Sequence, residues 1–399
     1  MVRQNDNYKW FILTLVVLTD MFVIAIPTMG ISVLSKEISD DLGLNLVQLG
    51  VIWGVGGLPG IVTGLLGGMI GDKIGPRRVL IAGTLLGGLL GMARGLAFHF
   101  VSMVVVMFFL GAVAPIVLMN SLKAIGEWFP SSQLGLANGI MSMGMALGFL
   151  TGSLFSATTF SPFLGGWRNV LIAYGLIAVL LSIPWMFTRS APEESRTVST
   201  ASIWTNLKHV AGLKNIWLLG MGLFGISGAV QGTLGYLPLY LREAGWQPLY
   251  ADSALSVFHT VSLLLVLPVS FWSDRLGSRK RLLLIANLMI MTGTGLLGVV
   301  HGLWVWVAVV IAGSMRDTFM ATFNTMVIET PKVGPAYAGT AIGLTMALAS
   351  LSNFISPPVG NSLASLSPGA PFVFWSALSV FALVCLSQVQ AKAAKRVML

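Results

Sequence analysis

Long apolar runs separated by short polar breaks recur along the whole chain. About twelve are present, each roughly 18–25 residues long, which is enough for one helix to cross about 30 Å of hydrocarbon. Their approximate bounds are 10–34, 44–70, 78–97, 99–122, 134–159, 167–188, 213–238, 249–272, 281–299, 302–327, 336–361 and 370–390. Only 9% of the residues are charged, against about a quarter in soluble proteins. We therefore predict an all-α integral membrane protein with twelve transmembrane helices.

Lysine and arginine residues are unevenly distributed between the alternate breaks. With both termini inside, the outer ends and loops hold only Lys36, Arg94, Arg168 and Arg242, and Arg316 lies within a helix. The other 18 of the 23 basic residues lie in the inner loops and tails. This bias predicts cytoplasmic N- and C-termini by the positive-inside rule, and it explains the net charge of +9 without a nucleic-acid partner. A single cysteine and no glycosylation sequon agree with a bacterial or archaeal inner membrane.

One charged stretch occurs twice. Residues 71–80 read "GDKIGPRRVL" and residues 273–282 read "SDRLGSRKRL", so that Asp72 and Asp274 are 202 residues apart. Each copy follows the second apolar run of its half of the chain. The simplest account is a parallel repeat of two six-helix halves.

With these copies in place, the sequence resembles the major facilitator superfamily of secondary transporters. That family carries Gly-x-x-x-Asp-Arg/Lys-x-Gly-x-Arg-Arg/Lys between helices 2 and 3. The first copy matches at Gly68, Asp72, Lys73, Gly75, Arg77 and Arg78. The second matches at Asp274, Arg275, Gly277, Arg279 and Lys280, with Ser270 in place of the first glycine.

The resemblance implies an architecture and a role for the motif. It implies an N-terminal six-helix bundle over 1–188, a cytoplasmic linker over 189–212 and a C-terminal bundle over 213–399, working as a monomer. In the family such motif charges close the cytoplasmic side while the outer side is open, which implies gating residues at Asp72, Lys73, Arg77, Arg78, Asp274, Arg275 and Arg279. The alternative is that these charges only set topology.

Glycines recur at every fourth position in several helices. Gly83, Gly87, Gly91 and Gly95 lie on one face of the third helix, and Gly144, Gly148 and Gly152 on one face of the fifth. Small residues on one face allow close helix contacts in lipid. The resemblance adds that helices 2, 5, 8 and 11 form the interface between the halves, so we expect some of these faces to lie there.

Three ionisable residues lie away from the helix ends: Asp20 in the first run, and Arg316 and Asp317 in the tenth. A mid-helix charge costs roughly 2.5–3.5 kcal/mol on insertion, so each must find partners inside the protein. The resemblance places helices 1, 4, 7 and 10 around the family's central cavity. Because adjacent helical residues diverge by about 100°, we expect Arg316 and Asp317 to face different surroundings, with Arg316 the better candidate for the cavity.

These residues give a set of candidate binding positions. We expect substrate contacts from Arg316, Asp20, Asn324, Gln231 and Tyr236, and proton coupling at Asp20 and Asp317. The alternative is a purely structural Asp20–Arg316 pair. Arg94, near the outer end of the third helix, is expected to extend its side chain to the membrane surface.

No nucleotide-binding loop, catalytic constellation or metal-ligand spacing is present in the sequence, so neither an enzyme nor a cofactor is predicted. We instead predict a proton-coupled symporter for a small organic anion, most simply a carboxylate. The alternatives are a proton antiporter exporting a cationic or amphipathic compound, with Asp20 as its cation site, and a sensor on the same fold. Met107 in place of a helix-4 arginine and the lack of proline in "GMALGFLTG" argue against drug export, and the short tails argue against a sensor.

Overall fold

The computed structural model describes residues 7–189, 203–276 and 279–390, and within these ranges the regular structure is entirely helical. Ten α-helices lie in the first half of the chain. They are α1 (Tyr8–Thr19), α2 (Ile26–Val33), α3 (Ser35–Leu42), α4 (Leu46–Gly54), α5 (Gly57–Ile74), α6 (Pro76–Gly95), α7 (Phe100–Trp128), α8 (Leu134–Phe155), α9 (Ser161–Leu164) and α10 (Trp167–Phe187).

The second half has eight described α-helices. They are α11 (Ile203–Ala211), α12 (Lys214–Glu243), α13 (Pro248–Leu276), α14 (Arg279–Leu297), α15 (Trp304–Ser314), α16 (Arg316–Ile328), α17 (Gly334–Ser362) and α18 (Ala370–Ser387). Two π-helical segments continue α1 and α8, at Asp20–Ala25 and Ser156–Phe160, and a 3-10 turn at Leu363–Ser365 follows α17.

Every predicted apolar run corresponds to one helix or to two consecutive helices. Eleven segments of the described chain are long and apolar enough to cross a membrane. The run at 78–97 corresponds to α6, which has 20 residues but is not among the eleven. Five glycines and three arginines lower the hydropathy of α6. The prediction of an all-α, multi-pass membrane protein is confirmed.

The chain divides into two compact units. Unit 1 comprises 1–45, 58–199 and 246–256, and unit 2 comprises 46–57, 200–245 and 257–399. The predicted bundle boundaries remain a prediction, and most of the predicted linker, 190–202, lies outside the described residues.

In unit 1, glycines have no side chain to hold helices apart, so the helix backbones come into contact. A Cβ atom at Gly91 would lie 3.1 Å from the Cα of Gly175, so α6 and α10 touch along their backbones. The glycine face of α8 packs on the first span: a Cβ at Gly152 would lie 3.0 Å from the Cα of Ile26, and one at Gly148 would lie 2.6 Å from the Cβ of Ala25. This glycine face therefore packs on the first span of the same unit.

In unit 2, α4 at the start of the second span packs on α17. A Cβ atom at Gly50 would lie 2.6 Å from the Cα of Pro358. The amide nitrogen of Asn361 donates a hydrogen bond to the carbonyl of Leu46 at 2.8 Å. The Trp53 indole donates to a backbone carbonyl of α12 at 2.7 Å. These contacts account for the assignment of 46–57 to unit 2 although it precedes most of unit 1 in sequence.

Several spans of the described chain are irregular, and two of them have ionisable residues at the irregularity. The first, Tyr8–Val33, changes from α- to π-helix at Asp20, and the tenth, Trp304–Ile328, breaks at Met315. A break or a π-turn leaves backbone groups without their usual helical partners, and such segments are frequent at functional sites. All three mid-membrane ionisable residues lie beside these irregularities.

The contact between α6 and α10 predicts a strong effect of adding bulk at its centre. A Cβ atom at Gly175 would lie 2.5 Å from the carbonyl oxygen of Gly88, so Gly175→Val should lower the free energy of unfolding by about 1–3 kcal/mol. Gly139, which has open space around it, provides the matched Gly139→Val control and should change stability by less than about 0.5 kcal/mol. Thermal unfolding of both purified variants tests this, and equal melting temperatures would contradict the packing described.

Candidate functional site

The first candidate centre surrounds Asp20 in unit 1. Its side chain is completely buried at the first residue of the π-helical segment. The hydroxyl of Ser121 on α7 donates a hydrogen bond to Asp20 Oδ1 at 2.7 Å, whereas Oδ2 has no partner among the described residues. The preceding residue is held as well, since the Trp185 indole donates to Thr19 Oγ1 at 2.8 Å. This is a buried carboxyl group with one oxygen still able to take a proton or a ligand.

The second candidate centre surrounds Arg316 in unit 2. Arg316 is the first residue of α16, directly after the break, and its Nη1 lies 3.1 Å from Asp317 Oδ1. The two side chains are partly buried, at 29% and 35% exposure. Their pairing differs from the expectation that they would face different surroundings.

Helix α13 supports this centre from one side. The break frees the backbone N–H of Asp317, which donates to Ser262 Oγ at 3.1 Å, and regular helical bonding resumes with Phe319 N–H to Met315 O. His259, one turn before Ser262 and also buried, is close enough to Arg316 for their charges to interact. The centre therefore contains a guanidinium, a carboxylate, an imidazole and a hydroxyl.

The remaining predicted binding residues are placed differently. Asn324, two turns after Asp317 on α16, is partly buried, and its Oδ1 has no partner among the described residues. Gln231 is partly buried on α12, where its backbone carbonyl accepts from Trp53. Tyr236 is 1% exposed within an aromatic cluster formed with α18, and its hydroxyl donates to Pro368 O at 3.3 Å. That position gives Tyr236 a packing role.

The first motif copy forms an ion pair across neighbouring helices of unit 1. Lys123 Nζ on α7 lies 2.5 Å from Asp72 Oδ1 and also donates to the carbonyl of Gly68. The partner of Asp72 is thus the ammonium group of Lys123. Lys73 and Arg78 are exposed, and neither forms a hydrogen bond or ion pair with another described residue.

Basic residues of both motif copies bind the ends of other helices. In unit 1, Arg77 donates to Met186 O at 2.6 Å, in the last turn of α10, and to Thr188 Oγ1 at 3.1 Å, just past its end. In unit 2, Lys280 donates to Val389 O at 2.8 Å, just past the end of α18. A cation stabilises the exposed carbonyls at a helix C-terminus. The repeat seen in sequence is therefore matched by a repeat in contacts.

The second copy also carries an ion pair. Arg279 Nη1 lies 2.9 Å from Glu329 Oε1, at the end of α16. The side chains of Asp274 and Arg275 lie outside the described residues, although both positions belong to α13. In each unit, then, the motif contacts the C-terminal part of a helix that carries or contacts a candidate centre.

Arg94 is not at the membrane surface, contrary to the sequence-based expectation. Its residue exposure is 1%, and its Nη1 donates to Pro27 O at 3.4 Å. The backbone contact between α6 and α10 encloses it, because no side chains hold those helices apart at Gly91 and Gly175.

Comparison with known proteins decides the family. The model of the Major Facilitator Superfamily matches residues 11–357, which is most of the chain. The chain belongs to the Major Facilitator Superfamily. It is therefore a membrane transporter and not an enzyme, as the sequence predicted.

Several superfamily members are similar over most of the chain. The probable sulfoacetate transporter SauU of Cupriavidus necator is 26% identical, over 85% of this chain and 83% of its own length. The probable L-galactonate transporter of Escherichia coli is 22% identical, over 54% of this chain and 50% of its own length.

Solved structures of other members share the fold. A bacterial homologue of the lysosomal transporter Spinster superposes with a TM-score of 0.76 over 96% of both chains at 17% identity. The nucleoside transporter NupG superposes with a TM-score of 0.78 over 95% of this chain and all of its own, at 12% identity.

Sequence reasoning missed three residues that contact the candidate centres: Ser121, Ser262 and His259. Serines are common in membrane helices, and nothing local distinguishes a serine that binds a carboxylate. A usable signal existed on α13, where His259 and Ser262 are spaced i, i+3 and so share one face of an apolar helix.

The Asp20 centre predicts a stability effect at Ser121. Ser121→Ala removes the only described donor to the carboxyl group, and such a hydrogen bond typically contributes about 0.5–1.5 kcal/mol to stability. Ser121→Thr keeps the hydroxyl and should retain most of that stability. Thermal unfolding at neutral pH compares the two variants, and an alanine variant as stable as the threonine variant would show that the bond contributes nothing.

Proposed function

We propose that this transporter is a proton-coupled symporter of a small organic anion, in which Arg316 binds the anion and Asp20 carries the proton. The observation that carries the proposal is the position of Arg316, a partly buried guanidinium at a helix break halfway through a membrane span. Two further groups complete it: Asn324 as a polar contact for the anion and Asp317 as a second proton-exchanging group.

The chemistry of the break supports anion binding. A guanidinium donates two parallel hydrogen bonds to a carboxylate, and the N-terminus of a half-helix adds a partial positive charge at the same place. Asp317 holds Arg316 through one nitrogen, at 3.1 Å. Since a bound anion would compete with Asp317 for the guanidinium, protonation of Asp317 would strengthen anion binding.

The surroundings of Asp20 support a proton site. The group is fully buried, has one donor, and belongs to a π-helical segment that departs from ideal hydrogen bonding. Carrying a proton with a monoanion makes the transported charge zero. Without the proton, moving one negative charge against the membrane voltage costs about 2.3 kcal/mol per 100 mV.

The relatives point to the same substrate class. Sulfoacetate and L-galactonate, named for two of the similar transporters, are both organic anions with a carboxylate group. A sulfoacetate transporter that resembles this chain along four-fifths of its length makes an organic acid the leading candidate.

The rest of the working arrangement follows from the family. We assign the motif residues Asp72, Lys73, Arg77, Arg78, Asp274, Arg275 and Arg279 to opening and closing the cytoplasmic side. The protein acts as a monomer in a bacterial or archaeal inner membrane, with both termini in the cytoplasm.

Transport assays with two variants test the assignment. In proteoliposomes, Asp20→Asn should abolish proton-driven accumulation of a carboxylate but retain carboxylate exchange, because only the proton carrier is lost. Arg316→Lys keeps the charge but loses the bidentate geometry, and should reduce both activities by about tenfold or more. Normal proton-driven accumulation by Asp20→Asn, or normal exchange by Arg316→Lys, would remove that residue from the mechanism.

A ligand screen separates the proposal from export of a cation. The unpartnered Oδ2 of Asp20 could also bind a cationic compound, which is the observation that favours the alternative. The melting temperature of the purified protein is measured at acidic and neutral pH with small carboxylates and with lipophilic cations. Stabilisation by carboxylates, greater at acidic pH, is expected, whereas stabilisation by cations alone would make Asp20 the centre of an export site.

A further inference from the structure

Arg94 is a buried cation without an anionic partner in the described part of the chain. Its residue exposure is 1%, and no described carboxylate lies within ion-pair distance of it. The other outer arginine of unit 1 is different, because Arg168 lies 2.9 Å from Asp41 Oδ2 and is partly exposed. A buried charge is expensive unless it is paired and hydrogen-bonded.

Only one nitrogen of the Arg94 guanidinium has a hydrogen-bond partner in the described part of the chain. Nη1 donates to Pro27 O at 3.4 Å, which is a long bond. Neither Nε nor Nη2 has a hydrogen-bond partner among the described residues. These two nitrogens form the side edge of the guanidinium, whose N–H bonds run parallel and match the two oxygens of a planar anion.

A glycine lies beside this edge. A Cβ atom at Gly91, one turn earlier on α6, would lie 3.8 Å from Arg94 Nη2. A side chain at position 91 would therefore contact the guanidinium at Nη2. The same glycine permits the close contact with Gly175 that shields Arg94 from lipid.

We infer that the Nε–Nη2 edge of Arg94 binds a small planar anion with two acceptor oxygens, of the nitrate or carboxylate type, inside unit 1. This site is separate from the anion site proposed at Arg316, which lies in unit 2. The bound anion neutralises the guanidinium. The same guanidinium joins α6 to the start of α2 through its hydrogen bond to Pro27.

The test uses full-length protein carrying Arg316→Gln, so that the other proposed anion site does not contribute. Melting temperature is followed in detergent while chloride is replaced by nitrate or acetate at constant ionic strength. Three further variants are made in the same parent: Arg94→Gln, Arg94→Lys and, as the matched control, Arg168→Gln.

The melting temperature of the parent and of the Arg168→Gln control should rise saturably. The rise should be about 3 °C when the nitrate or acetate concentration is one hundred times its dissociation constant. Arg94→Gln should lose the rise. Arg94→Lys should respond to chloride as it does to nitrate, because an ammonium has no planar edge. A response to nitrate but not to acetate would assign the site to inorganic oxoanions, and the reverse to organic carboxylates.

Two results would overturn the inference. One is the same nitrate and acetate dependence in the parent and in Arg94→Gln, which would mean a general salt effect. The other is a parent whose melting temperature does not change on exchange of chloride, and this outcome decides the matter even if no Arg94 variant folds. Neither result bears on transport through Arg316, since the parent already lacks that residue.

Discussion

The structure depends on one constraint: a polar or charged group inside the hydrocarbon must find its partner within the protein. Here the membrane spans satisfy it with very few side chains. Asp20 is held by Ser121, Arg316 by Asp317, and the amide freed by the helix break by Ser262. At roughly 2.5–3.5 kcal/mol for each exposed mid-membrane charge, losing such partners would cost a substantial part of a typical protein's stability.

The same constraint explains where the helices are irregular. A regular helix satisfies all its backbone groups and leaves none for a ligand. The π-segment at Asp20 and the break before Arg316 give up that regularity at the middle of their spans, one in each unit. Helix α7 contacts both one centre and the first motif copy, because Ser121 contacts Asp20 while Lys123 contacts Asp72. The carboxyl group and the motif are therefore joined through contacts with one helix.

Much of this was predictable from sequence, and the reasons are physical. Span number, the repeat and the intramembrane charges follow from hydropathy and spacing, which are local properties. The sequence could not show that the fifth-helix glycines pack on the first span, that Lys123 pairs with Asp72, or that Arg94 is enclosed. Each of these depends on which helices become neighbours. Arg316 and Asp317 were expected to diverge because ideal helix geometry was assumed at a position where the helix breaks.

The central claim is that a proton accompanies the anion in the same direction, and proton movement tests it directly. Purified protein is reconstituted with a pH-sensitive dye in the lumen, voltage is clamped to zero, and an inward carboxylate gradient is imposed with no pH gradient. Symport predicts that the lumen acidifies as the carboxylate enters. Carboxylate entry with an unchanged lumenal pH, or with alkalinisation, would contradict it.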